Sequence, residues 1–265
     1  MNKKHYRKLS VFLIPGMVGL VSFFVLPLAI NLWMSFNGFS TDGIQNYQAV
    51  IQSRAFQLSV KNTLRLIATG MPITLVIGVG GAFAFRSLFQ FNLPGVRILF
   101  LLQLLPLVLP SAIITFFIKL VFPYSEAPEV TYLMTGIYIW KNIPYMLLAA
   151  FLGLRNIPDD IQDAARLDGA NSLQSLHYIL LPFLRPYILV GIILACLGVF
   201  RIYRESYLLF GKYPDQSIYY IQNYMNNMFD SSGFGQLSAA SNLFLICISF
   251  LLLACLLFLG RGVKR

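Results

Sequence analysis

Apolar residues run along this chain in long unbroken stretches, not in the alternating or one-faced patterns of a water-soluble fold. A helix needs about 20 mostly apolar residues to cross the hydrocarbon core of a bilayer. Six stretches reach or approach that length: Leu9 to Phe36, Leu66 to Phe85, Val96 to Phe122, Tyr132 to Leu152, Pro186 to Tyr203 and Leu237 to Gly260. They predict an all-α polytopic membrane protein of six transmembrane helices. The first stretch follows Lys3, Lys4, Arg7 and Lys8, but it is too long for a secretory signal and has no well-placed small-residue cleavage site. Proline recurs inside the stretches, at Pro15, Pro27, Pro72, Pro106, Pro110, Pro144 and Pro186, where the missing backbone donor favours kinks. Gly78, Gly80, Gly81 and Ala82 would let neighbouring helices approach closely.

Composition agrees with this pattern. Of 265 residues 57% are apolar and 11% charged, and the mean hydropathy is +0.70; an ordinary soluble domain has about 25% charge. A soluble enzyme, a disordered chain and a disulfide-rich secreted domain are excluded. Cys196, Cys247 and Cys255 all fall in apolar runs, and His5 and His177 lie far apart, so no metal site is expected. The net charge of +10 would suggest nucleic acid in a soluble chain. Here it reads as topology, because basic loops stay cytoplasmic. With the amino terminus inside, the cytoplasmic segments hold Lys3, Lys4, Arg7, Lys8, Arg86, Arg97, Arg155, Arg166, Arg185, Arg261, Lys264 and Arg265. The tails 1–8 and 261–265 are basic and acid-free. Both termini are therefore expected in the cytoplasm, flanking a transmembrane domain over 9–260.

One segment, 153–182, is not a span and falls on the cytoplasmic side of this topology. Pro158 suits a first helical turn, Asp159, Asp160 and Asp163 sit near the positive end of the helix dipole, and Gly169 can take a left-handed cap. Ile161, Ala164, Ala165 and Asp168 share a face by helical spacing. A helix this short is marginal alone in water, and its small-residue face suits insertion into a cleft of a partner.

At these residues the chain resembles the permease subunits of binding-protein-dependent ABC importers. Their cytoplasmic signature is Glu-Ala-Ala, three residues, Gly, nine residues, Ile-x-Leu-Pro. Here it reads Asp163-Ala164-Ala165, then Gly169, then Ile179-Leu180-Leu181-Pro182, with Asp163 in place of Glu. The resemblance extends to the maltose-type, sugar-importing branch through Leu13 to Pro15, Leu26-Pro27, Trp33 to Phe36, Asn62-Thr63, Leu154 to Pro158, Phe200, Glu205, Tyr207 to Leu209, Gly211 and Pro214. Arg204 departs from the branch, which usually has Asp there. Lys212-Tyr213 replaces glycines, and Pro123 to Thr131 is short.

The resemblance implies a bacterial-type inner-membrane subunit that forms half of a pathway for a sugar or oligosaccharide. It implies a second homologous permease, usually a different chain, together with an extracellular solute-binding protein. It also implies a dimer of ATP-binding subunits that grips Asp163, Ala164, Ala165, Asp168, Gly169, Ile179, Leu181 and Pro182. ATP and Mg would sit on those subunits; this chain has no phosphate-cradling Gly-x-x-x-x-Gly-Lys-Ser/Thr loop, and no cofactor, catalytic constellation or nucleic acid is expected. The competing readings are an ABC importer of a non-sugar solute and a secondary transporter driven by an ion gradient. The latter needs ionisable groups inside the membrane; Lys119, Lys141 and Arg201 are candidates, and no buried acid is expected within the spans. For the substrate path the candidates are Lys141, Asn142 and Tyr145, beside Pro144, joined by Glu205 and Tyr207. Lys141 either lines the path or pairs with an acid or carbonyl of the second permease.

Overall fold

The computed structural model describes residues 13–37, 44–91, 93–122 and 129–260; the basic tails and most of Pro123 to Thr131 lie outside them. The described chain is helical. In order it forms α1 (Ile14–Phe36), α2 (Gln45–Gln52), α3 (Arg54–Phe89), α4 (Pro94–Gln103), α5 (Leu105–Val108), α6 (Ser111–Val121), α7 (Glu129–Arg155), α8 (Asp159–Leu167), α9 (Ser172–Phe210), a 3-10 turn (Gln216–Ile218), α10 (Ile221–Asp230) and α11 (Phe234–Gly260). Among the described residues five helices, α1, α3, α7, α9 and α11, are long and apolar enough to cross a membrane. Both α3 and α9 run well beyond the apolar stretches that predict them, because polar residues at their ends continue the helix. Thus α9 reaches Phe210, not Tyr203.

The third predicted span, Val96 to Phe122, is corrected: it is not one helix but the three pieces α4, α5 and α6. The ladder tightens at Leu104, whose amide reaches back to Leu101 at 3.0 Å. It then fails at Leu109, which is extended (φ −67°, ψ 123°). Leu109 precedes Pro110, and the proline ring clashes with a helical residue before it. Helix restarts at Ser111.

Proline acts differently elsewhere. Pro72, Pro144 and Pro186 lie inside unbroken helices. Two π-turns, Val21–Val25 in α1 and Leu176–Leu180 in α9, each end immediately before a Leu-Pro pair, Leu26-Pro27 and Leu181-Pro182. A widened turn admits a residue that has no amide hydrogen and whose ring would strike the carbonyl four residues back.

The chain divides into two units, one from residues up to Gln57 with Met225–Ile248, the other from Leu58–Tyr224 with the chain from Ser249 on. The first is held by a polar seam. Asn31 donates to the Asn242 side-chain oxygen at 2.7 Å, Asn242 donates to the Tyr47 hydroxyl at 3.3 Å, and Asn46 donates to the Ser35 carbonyl at 3.1 Å. Such bonds between membrane helices are worth about 0.6–2 kcal/mol. The apolar side of α1 stays outward, with Phe23 and Phe24 about three-quarters exposed, as lipid contact requires.

The second unit is built on the pairing of α7 with α9, the most extensive in the chain. Glycines set its closeness. A Cβ on Gly191 would stand 2.6 Å from the Met146 sulfur, one on Gly198 would strike the Asn142 amide, and one on Gly153 would meet Tyr187 at 2.7 Å. Gly78 of α3 abuts Met146 on the other side. Buried Met146, Ala150, Leu154, Leu184, Ile188 and Cys196 fill one core, and Met134, Tyr138, Val199, Ile202 and Ile218 another. Asn62 of α3 anchors the loop after α9 by donating to the Gln216 carbonyl at 2.7 Å. Thr63 accepts from the Ile221 amide at 3.0 Å.

Candidate functional site

The close α7–α9 contact brings together residues from distant parts of the sequence. Lys141 forms an ion pair with Glu205 of α9 and also donates to the Ser111 hydroxyl at 3.4 Å, at the start of α6. Beside it the Arg201 guanidinium bonds the Tyr145 hydroxyl and lies 4.4 Å over that ring. It also reaches the Asn142 oxygen and the Leu194 carbonyl, each at 3.3 Å. Asn142 donates in turn to the Tyr138 carbonyl at 2.7 Å. Lys141, Asn142, Tyr145 and Arg201, with Arg204, line a cavity of about 270 Å³ bordered also by the broken stretch Pro106 to Ser111; Glu205 is not on its lining. A lone lysine at a helix centre costs about 2.5–3.5 kcal/mol; the carboxylate offsets that cost within one chain.

Three expectations change here. The spans do hold a buried acid: Glu205 is wholly buried in α9, two residues past the predicted end of the fifth span. Lys141 pairs with an acid of its own chain, Glu205. Tyr207 is separated from the group. It is nearly half exposed, stacks on Tyr203 at 5.9 Å between ring centres and does not line the cavity, since the two-residue step from Glu205 turns it about 200° around the helix. Lys141, Asn142 and Tyr145 do line the cavity. The pairing of Arg201 with Tyr145 escapes a reading of the sequence, because only the packing of α7 on α9 brings residues 56 positions apart together. Ser111 escapes it too, since hydropathy hides the helix break that presents it.

In the segment 153–182, α8 spans Asp159–Leu167. Gly169 is left-handed (φ +78°), and the Ala170 amide returns to the Ala165 carbonyl at 2.9 Å, which closes the helix end. Asn171 and Gln174 then cap the next helix reciprocally at 2.8 and 2.9 Å. The orientation of α8 corrects the sequence reading. Ala165 is buried, 8% exposed, while Ile161 is half-buried. The outward row is Asp160, Asp163, Ala164 and Leu167, the last 89% exposed. The helix must bury the i, i+4 pair Ile161 and Ala165 on its own chain, so Ala165 is not free to enter a partner. Asp168 and Gly169 are exposed; Ile179, in the π-turn, and Leu181 and Pro182 after it are half-buried. Asn156, at the turn between α7 and α8, donates to the Tyr187 hydroxyl of α9 at 2.7 Å.

Known proteins match this architecture along nearly its whole length. The trehalose/maltose transport system permease protein MalF of Thermococcus litoralis is 26% identical over 94% of both chains. The trehalose transport system permease protein SugA of Mycobacterium tuberculosis is 26% identical over 92% of this chain and 86% of its own. Among solved structures, a chain of a bacterial ABC transporter involved in the import of the acidic polysaccharide alginate has the same fold. Its TM-score is 0.74 at 18% identity, with 99% of this chain and 98% of that chain covered. The family of binding-protein-dependent transport system inner membrane components matches residues 90–265, about two-thirds of the chain and the part that carries α4 through α11, and the protein belongs to that family.

Proposed function

We propose that this chain is one of two permease subunits of an importer for a sugar or oligosaccharide, powered by a separate pair of ATP-binding subunits. The observation that carries the reading is the end-to-end match to sugar permeases, over 92–94% of this chain. The cavity beside α7 and α9 supports it: an aromatic ring, an amide and a guanidinium suit a sugar, which offers apolar ring faces and hydroxyls. In this reading α4, α5 and α6 together make the sixth crossing as a broken helix, and both termini are cytoplasmic.

The ATP-binding subunits, which hold ATP and Mg, grip the outward row Asp160, Asp163, Ala164 and Leu167 and the Gly169 cap. Their closure moves α8. The turn at Asn156 passes the displacement to α7 directly and to α9 through Tyr187, and the paired helices open or close the cavity. A second, homologous permease completes the path. An extracellular binding protein delivers the sugar, as in the alginate importer solved in complex with its pentasaccharide-bound periplasmic protein.

Reconstitution in liposomes with the neighbouring ATP-binding subunits, second permease and binding protein tests the proposal. ATP-dependent uptake of one member of a di- and oligosaccharide panel is the expected result. Uptake that persists without the ATP-binding subunits and collapses with an ionophore would replace it with the ion-driven reading, for which the buried Lys141–Glu205 pair is the one favourable observation.

A further inference from the structure

A second and larger cavity, of about 800 Å³, lies where the end of α3, the start of α4 and the end of α7 converge beside α8. Its polar rim carries Arg86, Arg97 and Arg155, and its described lining contains no acid. No described side chain hydrogen-bonds or ion-pairs with these guanidiniums. Its inner wall is a phenylalanine cluster: Phe100 lies 5.6 Å from Phe89 and 5.0 Å from Phe151, ring centre to ring centre. Phe91 and Leu99, each next in sequence to a lining residue, are more than half exposed.

We infer that this cavity is a binding site for an anionic phospholipid, its phosphate held by Arg86, Arg97 and Arg155 and its first acyl carbons lying on Phe89, Phe100 and Phe151. Three cations with no counter-ion among the described residues, at helix ends, draw an anion. Guanidinium forks fit phosphate oxygens, and basic pockets between the ends of membrane helices suit lipid headgroups. A free phosphate would satisfy the arginines but leave the phenylalanine wall in water, so the apolar half of the cavity selects a lipid. The inference needs only a membrane-embedded chain; it stands whichever leaflet the site faces and whatever solute is carried.

The test uses the full chain in neutral detergent, with the subunits that copurify. Bound dioctanoyl-phosphatidylglycerol is counted by native mass spectrometry, against dioctanoyl-phosphatidylcholine and against inorganic phosphate as competitor. Phosphatidylglycerol should be retained well above phosphatidylcholine. Arg97→Gln, on an exposed turn, should weaken retention about fivefold, and the triple arginine-to-glutamine variant about a hundredfold, at roughly 1 kcal/mol per basic residue. Arg97→Lys should keep most of it. Phosphatidylglycerol retention unchanged in Arg97→Gln would overturn the inference. So would displacement of the lipid by phosphate at equal concentration, which assigns the site to a free anion. Loss of ATP-binding subunits from the triple variant with its lipid count unchanged would give the arginines to a protein contact. None of these readings depends on transport, so failure here is separate from failure of the proposed function.

Discussion

The two cavities of the larger unit use the same kinds of cation in opposite ways. In the smaller one, between α7 and α9, the two inner cations Lys141 and Arg201 are each answered from within the chain, by Glu205, Ser111, Tyr145 and Asn142, while Arg204 on its lining is exposed. In the larger one, at the helix ends, Arg86, Arg97 and Arg155 meet no described partner. Cations deep in the helix pair hold the fold, and removing one partner strands a charge. Cations at the helix ends await another molecule, and removing them leaves the fold intact. Arg201 is tied to Tyr145 and Asn142 yet still lines its cavity, so it can hold the fold and face a sugar at once; the three arginines at the helix ends are tied to no described residue.

The largest expected effect tests the first half of that contrast. Glu205→Gln leaves Lys141 facing a neutral amide, and breaking a buried pair from one side costs about 3–5 kcal/mol. A marked fall in the thermal midpoint of the purified chain is expected. Changing both Lys141 and Glu205 to Met should recover most of it. Equal stability of Glu205→Gln and the parent would remove the pair from the fold's support.

Next is the contact that makes the pair possible. Gly198→Ala pushes a methyl group into Asn142, and overpacking of this kind costs about 1–3 kcal/mol. The strain should also loosen Arg201 from Asn142, so a drop in stability with a changed sugar preference is expected. Gly80→Ala, where nothing lies within 4 Å, is the control.

Two substitutions on adjacent residues of α8 should then part company. Ala164→Trp, on the outward row, should abolish sugar-stimulated ATP hydrolysis in the reconstituted importer while the chain keeps its thermal midpoint. Ala165→Trp should lower the midpoint, because its site is already filled by this chain. Normal ATPase stimulation in Ala164→Trp would show that the outward row does not couple.

The smallest effect closes the comparison. The triple glutamine variant of Arg86, Arg97 and Arg155 should shift stability in lipid-free detergent by no more than about 1.5 kcal/mol, at about 0.5 kcal/mol for each substitution away from a partner, Arg97 and Arg155 being exposed and Arg86 half-buried. A loss comparable with that of Glu205→Gln would mean that these arginines, too, are structural.

Much of this was legible in the residues, for definite reasons. Long apolar runs announce spans because the bilayer demands length and little else. The ends of α8 were readable because Pro158 and Gly169 have conformational meanings that need no neighbours. Its facing was not, since Ala164 and Ala165 are the same residue type and only the chain beneath decides which is buried. Pro106 and Pro110 marked the third run for kinks, but its long apolar character hid that the helix stops at Leu109 and restarts at Ser111. The Lys141–Glu205 pair was out of reach because the acid sits just past an apolar run that under-reports its helix.

The separation of that pair along the chain has a consequence in time. At about 5–20 residues per second, the 64 residues from Lys141 to Glu205 take roughly 3 to 13 s to synthesise. Ser111 has been made before Lys141, but the carboxylate has not, so for those seconds α7 carries an unmatched ammonium costing about 2.5–3.5 kcal/mol at a helix centre. Insertion of α7 is therefore finished by α9. A chain that stops short of Glu205 leaves Lys141 without the carboxylate that pairs with it in the finished fold.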